Sequence, residues 1–260
     1  MRQLALALLL LAAPAEARTL KVCADPNNLP FSNEKEEGFE SKIVRIVAQE
    51  LHADVQYVWH AQRRGNVRET LNAGECDVIP GVASSVDMVL TTRPYYRSTY
   101  VAVVREGPLD ALATFDDPRL RKLKIGVQLI GADGQNTPPA HALTARGIVA
   151  NIRGFTVYGD YTSPAPQSPI VDAVAHGDID VAFVWGPTAG YFAGREPVKL
   201  KLTPVPLADG PALPMVFDVS MGVRRDDVAL RRELDSALIA RAAEIKAVLV
   251  AYGVPLVDVP

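Results

Sequence analysis

Apolar residues along this chain follow two rhythms: short runs or alternations that read as strands, and longer stretches with a period near 3.6 that read as helices. Segment 20–24 is a short strand, stopped by Asp25-Pro26-Asn27-Asn28-Leu29-Pro30-Phe31, a loop dense in turn formers. After Gly38, the recurrence of Phe39, Ile43, Ile46, Val47 and Leu51 predicts an amphipathic helix over 39–51. A strand over 55–59, a helix over 67–73 closed by Gly74 and a strand over 76–81 follow. This β-α-β-α-β order predicts an α/β fold with a doubly wound, mostly parallel sheet. Ser84-Ser85 lies just past the third strand, on the edge that also carries the Asp25 loop.

A strand over 99–104 comes next, and beyond Gly107-Pro108 the pattern restarts. Asp116-Asp117-Pro118 opens a short helix, and 123–128 is a fresh first strand, so a second domain begins here. Asn136-Thr137 precedes Pro138-Pro139, which predicts a capping hydroxyl and a helix start with amides free for an anion; Arg146-Gly147 ends that helix. A strand over 155–158, a Pro-rich loop over 161–167 and a helix from Ser168-Pro169 to Gly177 follow. Segment 179–184 is almost unbroken in apolar residues, as in a strand covered on both faces. Trp185 stands at its carboxyl end, where ligands sit in such sheets, and Gly186-Pro187 turns the chain there. The plainer reading of Trp185 is a large core residue. A strand over 199–207, a Gly/Pro-rich connector over 208–214, a strand over 216–223 and a helical stretch over 226–251, broken near 240–244, complete the chain.

At 260 residues, 48% hydrophobic and 22% charged, the composition is globular and excludes disorder. A formal charge of -3 argues against nucleic acid or an anionic membrane surface as partner. Residues 1–17 pair Met1-Arg2 with a short apolar core and Ala15-Glu16-Ala17, which predicts a secretory signal cut after Ala17. No Cys stands where a lipid anchor would need one, so a soluble periplasmic protein is expected. Cys23 and Cys76, an even count in an exported chain, predict one disulfide; two buried thiols are the alternative. His52, His60, His141 and His176 are far apart, and there is no Gly-x-Ser-x-Gly elbow or phosphate loop, so neither a metal, a cofactor nor catalysis is expected. The acidic group Glu34, Glu36, Glu37 and Glu40 reads as a solvated turn and helix start. Arg93 and Arg97 read either as carboxylate partners beside the crossing strand or as plain surface charge.

The element order, the Gly38-Phe39 helix start, Arg93-Pro94-Tyr95-Tyr96 and the closing Tyr252-Gly253-Val254-Pro255 resemble type II periplasmic solute-binding proteins over nearly all of the mature chain. Three runs narrow the likeness: 22–33, 92–98 and Val184-Trp185-Gly186-Pro187 resemble the quinoprotein dehydrogenase-associated group, the MoxJ/XoxJ type. The resemblance implies two lobes joined by crossing segments near 101–105 and 207–215, with a cleft able to close. Lobe 1 is expected over 18–104 and 208–260, and lobe 2 over 105–207. Amino-acid-binding members of the superfamily use an Arg, an Asp and an aromatic at places that here hold Ser85, Trp185 and Asn28, which implies that free α-amino acids do not bind. Asp25, Asn28, Phe31, Arg64, Ser84, Ser85, Arg93, Asn136, Thr137 and Trp185 are the expected cleft residues. The resemblance implies a non-catalytic accessory factor for a PQQ-dependent methanol or alcohol dehydrogenase, with that enzyme or its cytochrome as partner. The alternative is the substrate-binding component of an ABC transporter for a small solute other than an amino acid.

Overall fold

Two-residue periodicity and 3.6-residue periodicity sort the chain into elements much as expected, in a computed structural model that describes residues 18–130, 135–157 and 161–258. The signal read over 1–17 lies outside the described residues. The first half runs β1 (Arg18–Ala24), β2 (Asn27–Asn28), β3 (Ser32–Asn33), α1 (Phe39–Glu50), β4 (Ala53–Trp59), α2 (Asn66–Glu69), β5 (Val78–Ala83), β6 (Leu90–Thr91) and β7 (Tyr96–Arg105). After a 3₁₀ turn at Pro118–Arg121 come β8 (Ile125–Ile130), β9 (Gln135–Asn136), α3 (Pro138–Ala145), β10 (Ile152–Thr156), α4 (Pro169–His176), β11 (Val181–Trp185) and α5 (Gly186–Ala193). The chain closes with β12 (Leu200–Pro204), β13 (Val216–Val223), α6 (Val228–Ala240) and α7 (Ala242–Ala251).

Some expected boundaries move. The helix read over 67–73 shrinks to the single turn of α2, because Asn66 turns inward and Thr70 Oγ1 donates to Asn66 O, closing the turn early. The strand read over 155–158 is displaced to β10, whose partner β8 fixes its register from Ile152 to Thr156. Gly186-Pro187 does not form a separate turn: helix α5 begins directly after Trp185, with Pro187 in its first turn, where a missing N–H costs nothing.

The main path of the sheet runs β10-β8-β11-β7-β13-β5-β1-β4. Pairings of β1 with β4 and β5, and of β8 with β10 and β11, are parallel, as the intervening helices require; those made by β7 are antiparallel. The pivot is β7. Its Tyr96–Thr99 portion pairs with Val216–Val219 of β13, while the portion from Tyr100 to Arg105 pairs with β11 and β12. One strand therefore passes from one half of the sheet to the other without a break, and the fold is two-lobed.

Each half has its own apolar core. Phe39, Ile43 and Val47 of α1 pack with Leu234, Leu238 and Leu249 of α6 and α7 over β1 and β5. Leu112, Phe115, Ile125, Leu143 and Phe183 pack together in the other half. Burial of side chains such as Phe39 or Ile43 contributes about 1.5–3 kcal/mol each. Cys23 at the end of β1 and Cys76 ahead of β5 are disulfide-bonded, with Cα atoms 5.6 Å apart, and the bond is buried beside Leu71, Ile79 and Val89.

The second crossing segment is anchored by Arg146 at the end of α3, which donates to Asp209 Oδ2 from Nη1 (2.7 Å) and to Asp209 Oδ1 from Nη2 (2.8 Å). A third connection comes from the chain end. Tyr252 stacks on Tyr191 of α5 with ring centroids 5.6 Å apart, and a Cβ at Gly190 would meet Gly253 O at 1.8 Å, while Ser98 Oγ, donating to Pro255 O at 2.7 Å, ties the chain end to its own half. Only two glycine backbones can approach this closely, and Gly253 also sits at a φ of +69°, which favours glycine.

A candidate ligand cavity at the crossing strand

In an antiparallel pair, residues opposite one another point to the same face, and that face alternates along each strand. Register therefore places Trp185 beside Tyr100, Phe217 beside Ser98, and Val219 between Tyr96 and Ala83, all on one face of β11, β7, β13 and β5. This face floors a cavity of about 390 Å³, within the range of small-molecule sites. Phe31 and the Asp25 loop wall one side; Ile130, Thr137, Val157 and Tyr161 wall the other. Trp185 meets Tyr100 at 5.3 Å and Phe217 at 5.9 Å between ring centroids, both edge to face. The chain thus presents an aromatic floor.

Across the mouth the two halves touch. Asp25, 2% exposed, accepts from Asn27 N at 2.8 Å, from Gln62 N at 2.7 Å and from the Tyr161 hydroxyl at 2.6 Å. Asn27 Nδ2 donates to Ser163 O at 2.6 Å, and Gln167 Nε2 donates to Asn28 Oδ1. Asn28 Nδ2 in turn donates to Gln62 Oε1 at 3.0 Å. Arg63 lies over the Tyr161 ring, 5.0 Å from its centroid. Burial, with hydrogen bonding to Asp25 second, holds the Tyr161 phenol well above its ordinary pKa.

The structure gathers Asp25, Asn28, Phe31, Thr137 and Trp185 around this cavity. It leaves the other five expected residues out of the lining. Ser85 is exposed beyond the end of β5, because the strand ends at Ala83, its last residue in the lining. Ser84 turns to Ser220, with hydroxyl oxygens 2.6 Å apart. The Arg93 side chain is exposed, and its backbone N–H donates to Asp235 at 2.7 Å. Arg64 faces solvent while its neighbour Arg63 reaches Tyr161. Asn136 is exposed on β9. Thr137 does not cap α3: its hydroxyl donates to Gln128 O at 2.7 Å, and with Pro138 and Pro139 following, the helix start lacks two of its N–H groups. Arg97 does pair with a carboxylate, Asp218 Oδ1 at 3.3 Å from Nε, although the two are misaligned for a hydrogen bond.

Glu40 is the chief residue that the sequence reading misplaced. Far from being solvated, it is 4% exposed and lines the cavity. Position 40 precedes Ile43, Val44 and Val47 by three, four and seven residues, so it belongs to the buried stripe of α1 and not to its outer face. Its carboxyl accepts one long hydrogen bond, 3.4 Å from the Tyr95 hydroxyl, which itself accepts from Gly81 N at 3.0 Å. Desolvation pushes the Glu40 pKa up to about 8. Gly81, at a φ of +75°, leaves the room: a Cβ there would meet Glu40 Oε1 at 2.3 Å. Gln62, Tyr96, Tyr100, Gln128, Tyr161, Gln167, Thr188 and Phe217 also line the cavity without having been singled out. Among the described lining residues there is no Lys, Arg or His.

Residues 20–247 match the bacterial extracellular solute-binding proteins, family 3. The chain belongs to this family. Protein MoxJ of Methylorubrum extorquens is 32% identical over 256 residues, covering 95% of this chain and 85% of that protein. The crystal structure of the periplasmic binding protein XoxJ from Methylobacterium extorquens AM1 superposes with a TM-score of 0.76 at 39% identity, covering 93% of this chain and all of the other. That of MxaJ from Methlophaga aminisulfidivorans MPT gives a TM-score of 0.76 at 27% identity over 92% of this chain and all of the other. These similarities, extending over almost the whole length, place this family 3 solute-binding protein with the MoxJ/XoxJ type. Its cavity lies between the two halves, over the sheet face that carries Tyr96, Tyr100, Phe217 and Val219.

Proposed function

We propose that this chain is a periplasmic, non-catalytic accessory factor of a PQQ-dependent methanol or alcohol dehydrogenase, built on a solute-binding fold that has lost its grip on amino acids. The observation that carries the reading is the cavity lining, in which no basic side chain is available among the described residues to pair with a carboxylate. A zwitterion entering it would leave a desolvated carboxylate unmatched, at a cost of several kcal/mol. Asn28, at the place where an amino-acid binder has an aromatic platform, accepts from Gln167 across the lobes and donates to Gln62 within its own. The likeness to MoxJ and XoxJ proteins over nearly the full length supports the partner class.

The test is association. Mature protein mixed with a purified PQQ-dependent methanol dehydrogenase, and separately with its cytochrome, is expected to co-elute with one of them in size-exclusion chromatography and to alter dye-linked activity or the yield of active enzyme. Independent migration from both, with no effect on activity or maturation, overturns the proposal. The cavity volume favours a second reading, a receptor delivering a small solute other than an amino acid to an ABC permease. That reading requires uptake of the solute to fall when the protein is deleted.

A further inference from the structure

Beyond any association with a dehydrogenase, and independently of it, the cavity has a chemical preference of its own. Phe31, Tyr96, Tyr100, Tyr161, Trp185 and Phe217 turn aromatic surface toward one space, and two carboxyl groups, Asp25 and Glu40, border it with no basic side chain among the described lining residues. The two carboxyls differ. Asp25 already accepts three hydrogen bonds. Glu40 accepts only the long one from Tyr95 and is almost wholly removed from solvent. A second polar group is short of partners: Thr188 Oγ1, in the first turn of α5, is buried without a hydrogen bond and lines the same cavity.

We propose that the cavity binds a small organic cation that carries no carboxylate, an ammonium held against Glu40 and enclosed by the aromatic floor. The faces of Trp, Tyr and Phe rings carry negative potential, and a desolvated cation gains most from them. A carboxyl group with one long hydrogen bond supplies the counter-charge. In the empty cavity Glu40 holds its proton at neutral pH, and the titratable groups facing it are phenols: Tyr95 and Tyr96 from β7 and its approach, and Tyr57 from β4, each pushed above its ordinary value chiefly by burial. Arrival of the cation ionises Glu40, and one proton leaves to solvent as the ion pair forms. Anions meet no basic side chain among the described lining residues, and neutral compounds gain only the apolar contact.

Isothermal titration of the mature protein with tetramethylammonium, benzylamine, benzyl alcohol and benzoate separates these classes. At pH 7 at least one of the two cations is expected to bind tenfold or more tightly than benzyl alcohol, with no heat from benzoate. Tetramethylammonium keeps its charge at every pH, so its affinity is expected to rise several-fold between pH 7 and pH 9 as Glu40 ionises. Proton release, read from buffers of different ionisation enthalpy, is expected at pH 7 and lost at pH 9. Glu40→Gln is expected to weaken the cation at least tenfold, remove the pH dependence and leave benzyl alcohol unchanged. If that variant does not fold, the pH profile of the unaltered protein decides. Binding of neither cation, benzyl alcohol bound as tightly as the cations, or affinity flat from pH 7 to pH 9 overturns the proposal. None of these heats depends on whether a dehydrogenase associates.

Discussion

The Tyr161 hydroxyl lies 2.6 Å from Asp25 Oδ2, a hydrogen bond from the segment between β10 and α4 to the loop that follows β1. It joins the two sides of the cleft directly. A hydrogen bond to a charged acceptor contributes about 1.5–3 kcal/mol, enough to move a two-state opening equilibrium by tenfold or more. Tyr161→Phe is therefore expected to populate a more open form, read as a larger radius of gyration in small-angle X-ray scattering. An unchanged scattering profile would show that the remaining bridges from Asn27 and Asn28 suffice.

Stability should depend on Glu40 in a definite direction. Its folded pKa near 8 exceeds the ordinary 4.5, so the native state binds more protons than the unfolded chain between those values. Stability must then fall as pH rises through that window, by on the order of 4 kcal/mol in total. Glu40→Gln is expected to flatten this slope and to be more stable than the unaltered protein at pH 8.5. Urea unfolding at pH 5 and pH 8.5 measures it, and parallel slopes for the two proteins would refute the assignment.

The disulfide closes a loop with a sequence separation of 53. Cross-linking over that length limits the unfolded ensemble and contributes about 4 kcal/mol in the chain-entropy account. Replacing both Cys23 and Cys76 by Ser should lower the urea midpoint accordingly, with a further penalty from two hydroxyls in an apolar site. A change below about 1 kcal/mol would mean that the bond adds little to the fold.

Gly190→Ala should be among the most damaging single changes, since its methyl would sit 1.8 Å from Gly253 O, a backbone atom that cannot rotate away. Over-packing of this kind costs about 1–3 kcal/mol or more. Ala at Gly74, where nothing lies within 4 Å, should lose only the strain of its positive φ. Thermal unfolding of the two variants side by side gives the contrast, and equal losses would contradict it.

Restoring an arginine at Ser85 should not restore amino-acid binding. The side chain at 85 is exposed and outside the cavity lining, so a guanidinium there meets water and no ligand. Calorimetry with glutamate, glutamine and glycine is expected to show no binding to either protein. Micromolar affinity in the Ser85→Arg variant would place position 85 back at the cleft.

Most of the architecture was legible because its causes are local. The stripe of α1, the unbroken apolar run of β11 and the break between α6 and α7 are written in residue periodicity. Trp185, at the carboxyl end of β11, and Phe31, in the turn-rich loop beyond β1, were legible as candidates for a similarly local reason, and both line the cavity. Ser85 was expected in the cleft because the resemblance puts the Arg of amino-acid-binding members there; a likeness in sequence does not reveal where β5 ends, and pairing with β13, which decides that, stops at Ala83. Glu40 was misread because a charged residue in an acidic cluster suggests solvent, while its helical phase put it inside. The bridges from Asn27, Asn28 and Asp25 to residues 161–167 join positions over 130 apart, and no pattern within either segment signals the other.

The contact of Gly190 with Gly253 bears on how far this molecule can gape. Tyr252, beside it, packs against the cores of both halves, so the chain end works as a stitch next to the two expected crossings. A book bound by three threads opens less widely than one bound by two, so loosening this stitch is expected to let the covers part further than severing a bridge at the mouth does.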